Sequence, residues 1–532
     1  MPRAGPGHGR WAALAVLALP VLLISVDMTI LGFAVPAISA ELKPTSGQLL
    51  WIVDIYSFLL AGLLVLMGTL GDRIGRRRLL LLGACAFGLA SLAAAYATTP
   101  ELLIVSRALL GLGGATLMPS TLSLIRHIFT ERRERRIAIA VWAAAFAAGA
   151  GLGPLLGGVL LENFWWGSVF LINLPVMALL LGLGPLLLPE SRDPEPGRFD
   201  PLSAVLALGA TLSFVYGMKR IAEYGPGPLA AVCIVAGIGT GALFALRQRV
   251  LSTPLIDIRL FAHRPFSVSV ITNLLGIFAL VGLLYFFPQY LQMVRGMEPI
   301  EAGLWLLPAA ATAIAGAGCA ALLARRIRLA YLIGAGLALA ALGYAATTQL
   351  GADSTVAFVV AATALVGAGV GLADTLTNDV IVATAPPGKA GAASAISETA
   401  YELGGAMGVA VLGSIASSAY RSELDARLPA AVPPQARDTA HETLGAALET
   451  STQLPPHLAE ALAGTAREAF MDGMRLASLV AAALVCCAAV QAALLLRHIS
   501  PSVTAEEEPH QHGTPSTHGT TRDLHTDPTA GG

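Results

Sequence analysis

Residues 79–100 and 137–161 contain no charged side chain. A helix of about twenty apolar residues rises roughly 30 Å, enough to cross the hydrocarbon core of a bilayer. Within lipid such a segment must be helical, because every backbone polar group needs an internal partner. The pattern recurs along the chain. Of 532 residues, 55% are hydrophobic and 13% charged, against about 25% charged in a soluble protein. The expected fold class is an all-α polytopic membrane protein.

Breaks at charged or Pro/Gly-rich stretches give fourteen spans, near 11–35, 48–70, 79–97, 102–127, 137–161, 167–188, 201–219, 228–246, 265–291, 302–324, 329–349, 355–382, 390–418 and 473–497. The first is a retained helix rather than a signal peptide. It is too long, carries Asp27 and lacks a small-residue cleavage site. Basic residues test the count. With the N-terminus in the cytoplasm, 23 of the 33 Lys and Arg fall in inner segments and 8 in outer ones, among them Lys219 and Arg220 after the seventh span. Loops rich in Lys and Arg stay inside, and an error of one span would destroy the alternation. Both termini are therefore expected in the cytoplasm, with the chain in the cell membrane.

The spans divide as six, two and six. The expected organisation is a cytoplasmic N-terminus at 1–10, a six-helix bundle at 11–190, two inserted helices at 191–263 and a second six-helix bundle at 264–498. That bundle includes an outer loop at 420–472 with short helical patterns. Past residue 498 the chain turns polar and rich in Thr, Pro, Gly and His, which reads as a disordered tail at 499–532. Its histidines (His510, His512, His518, His525) read as solvated rather than as a metal site. The five cysteines (Cys85, Cys233, Cys319, Cys486, Cys487) lie in apolar segments without metal-ligand spacing. No metal, cofactor or nucleic-acid partner is expected.

Three motifs carry more than topology. GTLGDRIGRRR (68–78) places one acid and four arginines between two spans. Its glycines permit a tight turn, and Asp72 can cap the next helix or accept from an arginine. RALLGLGGA (107–115) puts Arg107 inside the fourth span. A buried arginine is costly and pairs with a carboxylate or with helix carbonyls; the competing reading is snorkelling toward Glu101. GAGLGPLLGG (149–158) sets Gly149, Gly153 and Gly157 on one helix face, which admits a neighbouring backbone, and Pro154 adds a kink.

In these three runs the chain resembles the major facilitator superfamily. The first resembles its loop between helices two and three, the second its fourth-helix motif, and the third, with Gly158, the antiporter motif of its drug exporters. The 6+2+6 division resembles its fourteen-span drug:proton antiporter branch. So does SVDMTILGFAVP (25–36), although Gly32 stands where Asn is usual. WIVDIYS (51–57), LIRHIF (124–129), FLINLP (170–175) and AISETAYELGG (395–405) resemble the quaternary-ammonium and methyl-viologen exporters. The resemblance implies two six-helix bundles plus two inserted helices. It implies that Gly68, Gly71, Asp72, Arg73, Gly75 and Arg76 belong to an inner gate, and that Arg107 takes part in proton relay.

Acids inside spans are functional candidates. Asp27 lies in the middle of the first span, where burial opposes its charge and a nearby arginine favours it. Asp54 stands beside Trp51 and Tyr56, and an anion with aromatic neighbours suits a lipophilic cation. Glu398 and Glu402 are four apart and share one face of the thirteenth span. The resemblance implies proton coupling through Asp27, Asp54 and Arg107, and cargo binding through Asp54, Trp51, Tyr56, Glu398 and Glu402. WLLPAAATAI (305–314) lacks the tenth-span acid that some members carry. Asp374 and Asp379 have no assigned counterpart.

The expected function is proton-driven efflux of lipophilic, mainly cationic small molecules by alternating access, from a monomer in the bilayer. A dedicated proton-coupled exporter of one self-made metabolite shares every motif. An uptake symporter is disfavoured by the glycine face at 149–158. No nucleophile–base set or nucleotide-binding loop appears, so neither catalysis nor ATP is expected.

Overall fold

The computed structural model describes residues 8–192, 200–252, 254–324, 326–385 and 390–497. The tail at 499–532 with its histidines, the first seven residues, Arg198, Arg325 and Lys389 lie outside the described residues. Among the described residues every regular element is helical. Fourteen helices are long and apolar enough to cross a membrane: Gly9–Leu42, Ser46–Ile74, Arg76–Ala95, Pro100–Ile128, Ile137–Asn163, Ser168–Leu187, Pro201–Ile221, Pro228–Val250, Arg264–Val294, Pro299–Ala320, Leu329–Thr347, Val356–Ala383, Ala393–Arg427 and Pro456–Leu495. An even number of crossings places residues 9 and 495 at the same end of the molecule.

Two apolar cores divide the chain. One joins side chains of the first six spans, such as Leu17, Tyr56, Phe87, Leu110 and Phe170. The other joins spans nine to fourteen through Ile277, Phe287, Leu337, Val366, Leu412 and Met474. The seventh span packs on the second and the thirteenth, and so covers a seam between the halves; the eighth packs on the seventh. The eighth span leaves Leu229, Val232, Val235, Ile238 and Leu243 exposed, as a lipid-facing helix does.

Two boundaries differ from the sequence expectation. The seventh helix does not end at residue 219 but runs to Tyr224. The segment 420–472, expected as an outer loop with short helical patterns, is mostly helical. The thirteenth helix continues to Arg427, Pro434–Ala440 and Leu444–Ser451 are short helices, and the fourteenth begins at Pro456. Prolines at helix starts and the Thr443 hydroxyl, which accepts from Ala446 N, set these ends.

The resulting helical cap ties the second half to the first at the end away from the termini. Lys43 Nζ lies 2.9 Å from Glu449 Oε1. Ser46 N donates to Glu442 Oε2 at 3.2 Å, and Arg421 Nη1 donates to Ser46 Oγ at 2.9 Å.

The fifth span packs closely against the first. Its glycines at 149, 153 and 157 lie against the first span. A Cβ at Gly149 would stand 2.3 Å from the Leu22 carbonyl oxygen, and one at Gly153 would stand 1.9 Å from Thr29 Oγ1. The same helix presses on the tenth span, where a Cβ at Gly303 would meet the Pro154 carbonyl at 2.5 Å and one at Gly158 would meet Ile300 Cα at 2.5 Å. It therefore positions the Asp27 segment on one side and the second half on the other. Gly149→Ala should cost about 1–3 kcal/mol through overpacking, because the obstructing atom is backbone. Thermal unfolding in detergent checks this. Gly151→Ala, whose Cβ would meet only Ala310 Cβ at 3.8 Å, should unfold at the wild-type temperature.

Candidate functional site

Arg107 is 1% exposed, so it does not snorkel. Its Nη1 lies 2.5 Å from Asp27 Oδ2, and its Nε donates to the Ile52 carbonyl at 3.1 Å. The guanidinium carbon stands 4.7 Å from the Tyr56 ring centre and 5.9 Å from that of Phe170. The local sequence explains the fit. A Cβ at Gly111 would stand 2.4 Å from the Tyr56 carbonyl oxygen, so only glycine lets the second span approach the fourth this closely. That approach brings the carbonyl of Ile52 within reach one turn away. Asp27 is 2% exposed, and its Oδ1 has no hydrogen-bond partner among the described residues.

Asp54 faces another way. It is 1% exposed, and its Oδ2 lies 2.8 Å from Lys219 Nζ of the seventh span. That ammonium also stands 4.0 Å from the Trp51 ring centre. Tyr285 of the ninth span is within electrostatic range of Asp54, so this centre touches both halves and the inserted helix. Two corrections follow. Lys219 is not an outer-loop residue: it is buried inside the bundle. Tyr56 is not beside Asp54 and Trp51 in space. Residues 54 and 56 are roughly 200° apart around a helix, whereas 51 and 54 share a face. Tyr56 therefore turns to the fourth span and belongs with Arg107.

The second half supplies a third group. Asn273 of the ninth span donates through Nδ2 to Asp374 Oδ1 of the twelfth. Glu398 is half-buried within electrostatic range of Asp374. Glu402 is fully buried and points instead at Ser57 of the second span. The two glutamates share a face, as their spacing requires, but meet different neighbours. A small recess lies among Thr272, Asn273, Leu337, Val370 and Asp374. Asp374, which the sequence left unassigned, is thus part of the group. Asp379 is exposed.

The motif at 68–78 is held by residues outside it. Gly75 has φ of 110°, a backbone that side-chain-bearing residues rarely adopt, and a Cβ there would strike Glu190 Oε1 at 2.5 Å. Arg76 pairs with Asp72 across this turn, beside Gly71. Arg77 N donates to Glu190 Oε1 at 3.1 Å, and Arg76 N donates to the Ser191 carbonyl at 2.8 Å. Gly68 faces Pro119 of the fourth span, and Arg73 is exposed. Glu190 was not anticipated, because it follows the sixth span by three residues and looks like loop. No group of three or more His, Cys, Asp or Glu is placed to hold a metal among the described residues.

The arrangement is a set of buried carboxylates at the meeting faces of two helix bundles, which suits ion-coupled movement of a solute. Comparison with known proteins gives the family. The profile of the Major Facilitator Superfamily matches residues 17–409. The multidrug efflux pump LfrA of Mycolicibacterium smegmatis is 47% identical over 487 residues, covering 92% of this chain and 96% of that one. The methyl viologen resistance protein SmvA of Salmonella typhimurium is 39% identical over 472 residues, covering 87% and 93%. A bacterial homologue of the lysosomal transporter Spinster shares the fold, with a TM-score of 0.64 at 18% identity over 92% of this chain and 98% of that one. The chain is a multi-pass membrane transporter that belongs to the major facilitator superfamily, among its drug exporters.

Proposed function

We propose that this protein exports lipophilic, mainly cationic drugs or antiseptics across the cytoplasmic membrane in exchange for protons. The observation that carries the reading is that buried Asp54 and half-buried Trp51, on one face of the second span, both meet a cationic group, the Lys219 ammonium, where Trp51 packs with Leu403 and Met407 of the other half. Such a pair offers a flat organic cation charge and π attraction together. Relatives named for multidrug efflux and for methyl viologen resistance support it, since methyl viologen is an aromatic dication.

Basic loops, which stay in the cytoplasm, support a reading with both termini inside. The cap at 420–472 is then outside, and its contacts with Lys43 and Ser46 close the outer end. Cargo enters from the cytoplasm or the inner leaflet and meets Asp54. Asp27 accepts the proton. Its protonation removes the charge that holds Arg107, and with it one of the ties between the first, second and fourth spans. The antiporter glycines at 149, 153 and 157 let the first span move against the fifth. The loop at 68–78 closes the inner side, and protons from outside displace the cargo. The membrane potential supplies about 2.3 kcal/mol per net charge per 100 mV, so two protons in for one monocation out remains downhill against a cargo gradient. The protein works as a monomer, its two halves forming the complete passage.

Ethidium efflux from loaded cells tests the reading. Wild-type efflux should stop with an uncoupler. Asp27→Asn should lose coupled efflux by about tenfold or more, the scale of one charge-assisted contact. Asp54→Asn should lose efflux of dications more than of monocations. A wild type that moves no dye would sink this reading in favour of a dedicated metabolite exporter.

A further inference from the structure

The inserted seventh helix places its own cation in the site assigned above to cargo. We propose that the Lys219 ammonium is a tethered competitor: it fills the Asp54–Trp51 cation site when no cargo is bound and yields it to a cationic cargo. The proposal rests on the reading that cationic cargo binds Asp54.

Both elements of cation recognition are engaged by Lys219, the carboxylate at 2.8 Å and the indole face at 4.0 Å. The two charged side chains are 3% and 0% exposed. A charge inside a span is expensive, and a buried ion pair seldom stabilises a fold more than an apolar pair of similar size. Stability alone therefore gives little reason for a lysine here. The surroundings also leave room for exchange. Asp54 Oδ1 has no hydrogen-bond partner among the described residues. Arg107, the other cation near Asp54, is committed to Asp27 and the Ile52 carbonyl.

Lys219 also has somewhere to go. It lies five residues before the helix end at Tyr224, about 7.5 Å along the axis, and its four-carbon stem can carry the ammonium to the outer interface. Its neighbour Arg220 already reaches that way, standing 4.8 Å from the Tyr224 ring centre. A cargo must therefore outbid an ammonium that is always at hand. A neutral molecule gains nothing by displacing it. A small monocation offers no more than Lys219 does, whereas a broad aromatic cation or a dication offers more ring contact or charge. After release outward, the tethered amine refills the site and hinders rebinding. The seventh helix thereby acts as a filter on cargo charge and ring area.

The test is binding of tetraphenylphosphonium to the purified full-length protein. Lys219→Gln should tighten binding by about tenfold, and Lys219→Arg, which keeps the charge, should not tighten it. In an Asp54→Asn background, Lys219→Gln should have no effect. If the wild type binds and Lys219→Gln binds no more tightly, the competitor role is overturned while the export reading stands. If the wild type binds no tetraphenylphosphonium, the cation site at Asp54 falls and this proposal falls with it. Should the variants not fold, the wild type answers alone. The chain has three lysines, so reductive methylation can be read peptide by peptide. Tetraphenylphosphonium should raise labelling of Lys219 relative to exposed Lys43, and unchanged labelling would overturn the proposal.

Discussion

A guanidinium at the centre of a bilayer has no water to turn to, and the first half of this molecule is assembled around that problem. Arg107 is satisfied by one carboxylate from the first span, one carbonyl from the second and the face of Tyr56. Each partner must be brought in by backbone approach, and glycine makes the approach possible. Gly111 admits the second span, Gly113 sits against Phe87 of the third, and Gly149 and Gly153 let the fifth span hold the first in place. Loss of one partner would leave a buried charge uncompensated, a far larger penalty than loss of an apolar contact. The interaction that fixes the packing of these helices is thus also the one that protonation of Asp27 would undo.

Much of this was legible from residue order. Charge-free lengths give the helices, the alternation of basic loops gives their number, and the 149–153–157 spacing gives a face for close packing. Arg107 demanded a buried partner, although residue order alone did not name Asp27 as that partner. What stayed hidden has a common cause. A pair of charges at 219–220 resembles a helix end, because a charge is normally placed where water is. Adjacent residues on a helix point about 100° apart, so Arg220 reaches outward while Lys219 finds a carboxylate within. Only the position of the second span reveals that carboxylate. Glu190 was hidden in the same way: its partner, the turn at Gly75, is distant in sequence. Tyr56 was misjudged for a more avoidable reason. It was grouped with Asp54 by proximity in the chain, although helical geometry turns the two residues apart.

The inserted helices look different once Lys219 is placed. The eighth has an exposed apolar face and contacts mainly the seventh, as expected of lipid-facing packing. The seventh stands against the second and thirteenth spans, with Leu212 and Val215 among Phe58, Leu403 and Ala406. It shields a seam between the halves and sends one charge through it. A bundle built only from six and six helices would have to satisfy Asp54 otherwise.

The buried charges are also distributed unequally. In the first half each buried acid is matched by a base, Asp27 by Arg107 and Asp54 by Lys219. In the second half, Asp374, Glu398 and Glu402 have no ion-pair partner among the described residues. The two sets must respond differently to a proton. A carboxyl without an ion pair can gain or lose one with no salt bridge broken. A proton on Asp27 or Asp54 would instead weaken its hold on a base that another helix carries. In the first half a change of charge on either acid would therefore bear on an ion pair between helices, while in the second half it would not. The two ion pairs with which a proton would compete are thus contacts between separate helices, the first with the fourth and the second with the seventh.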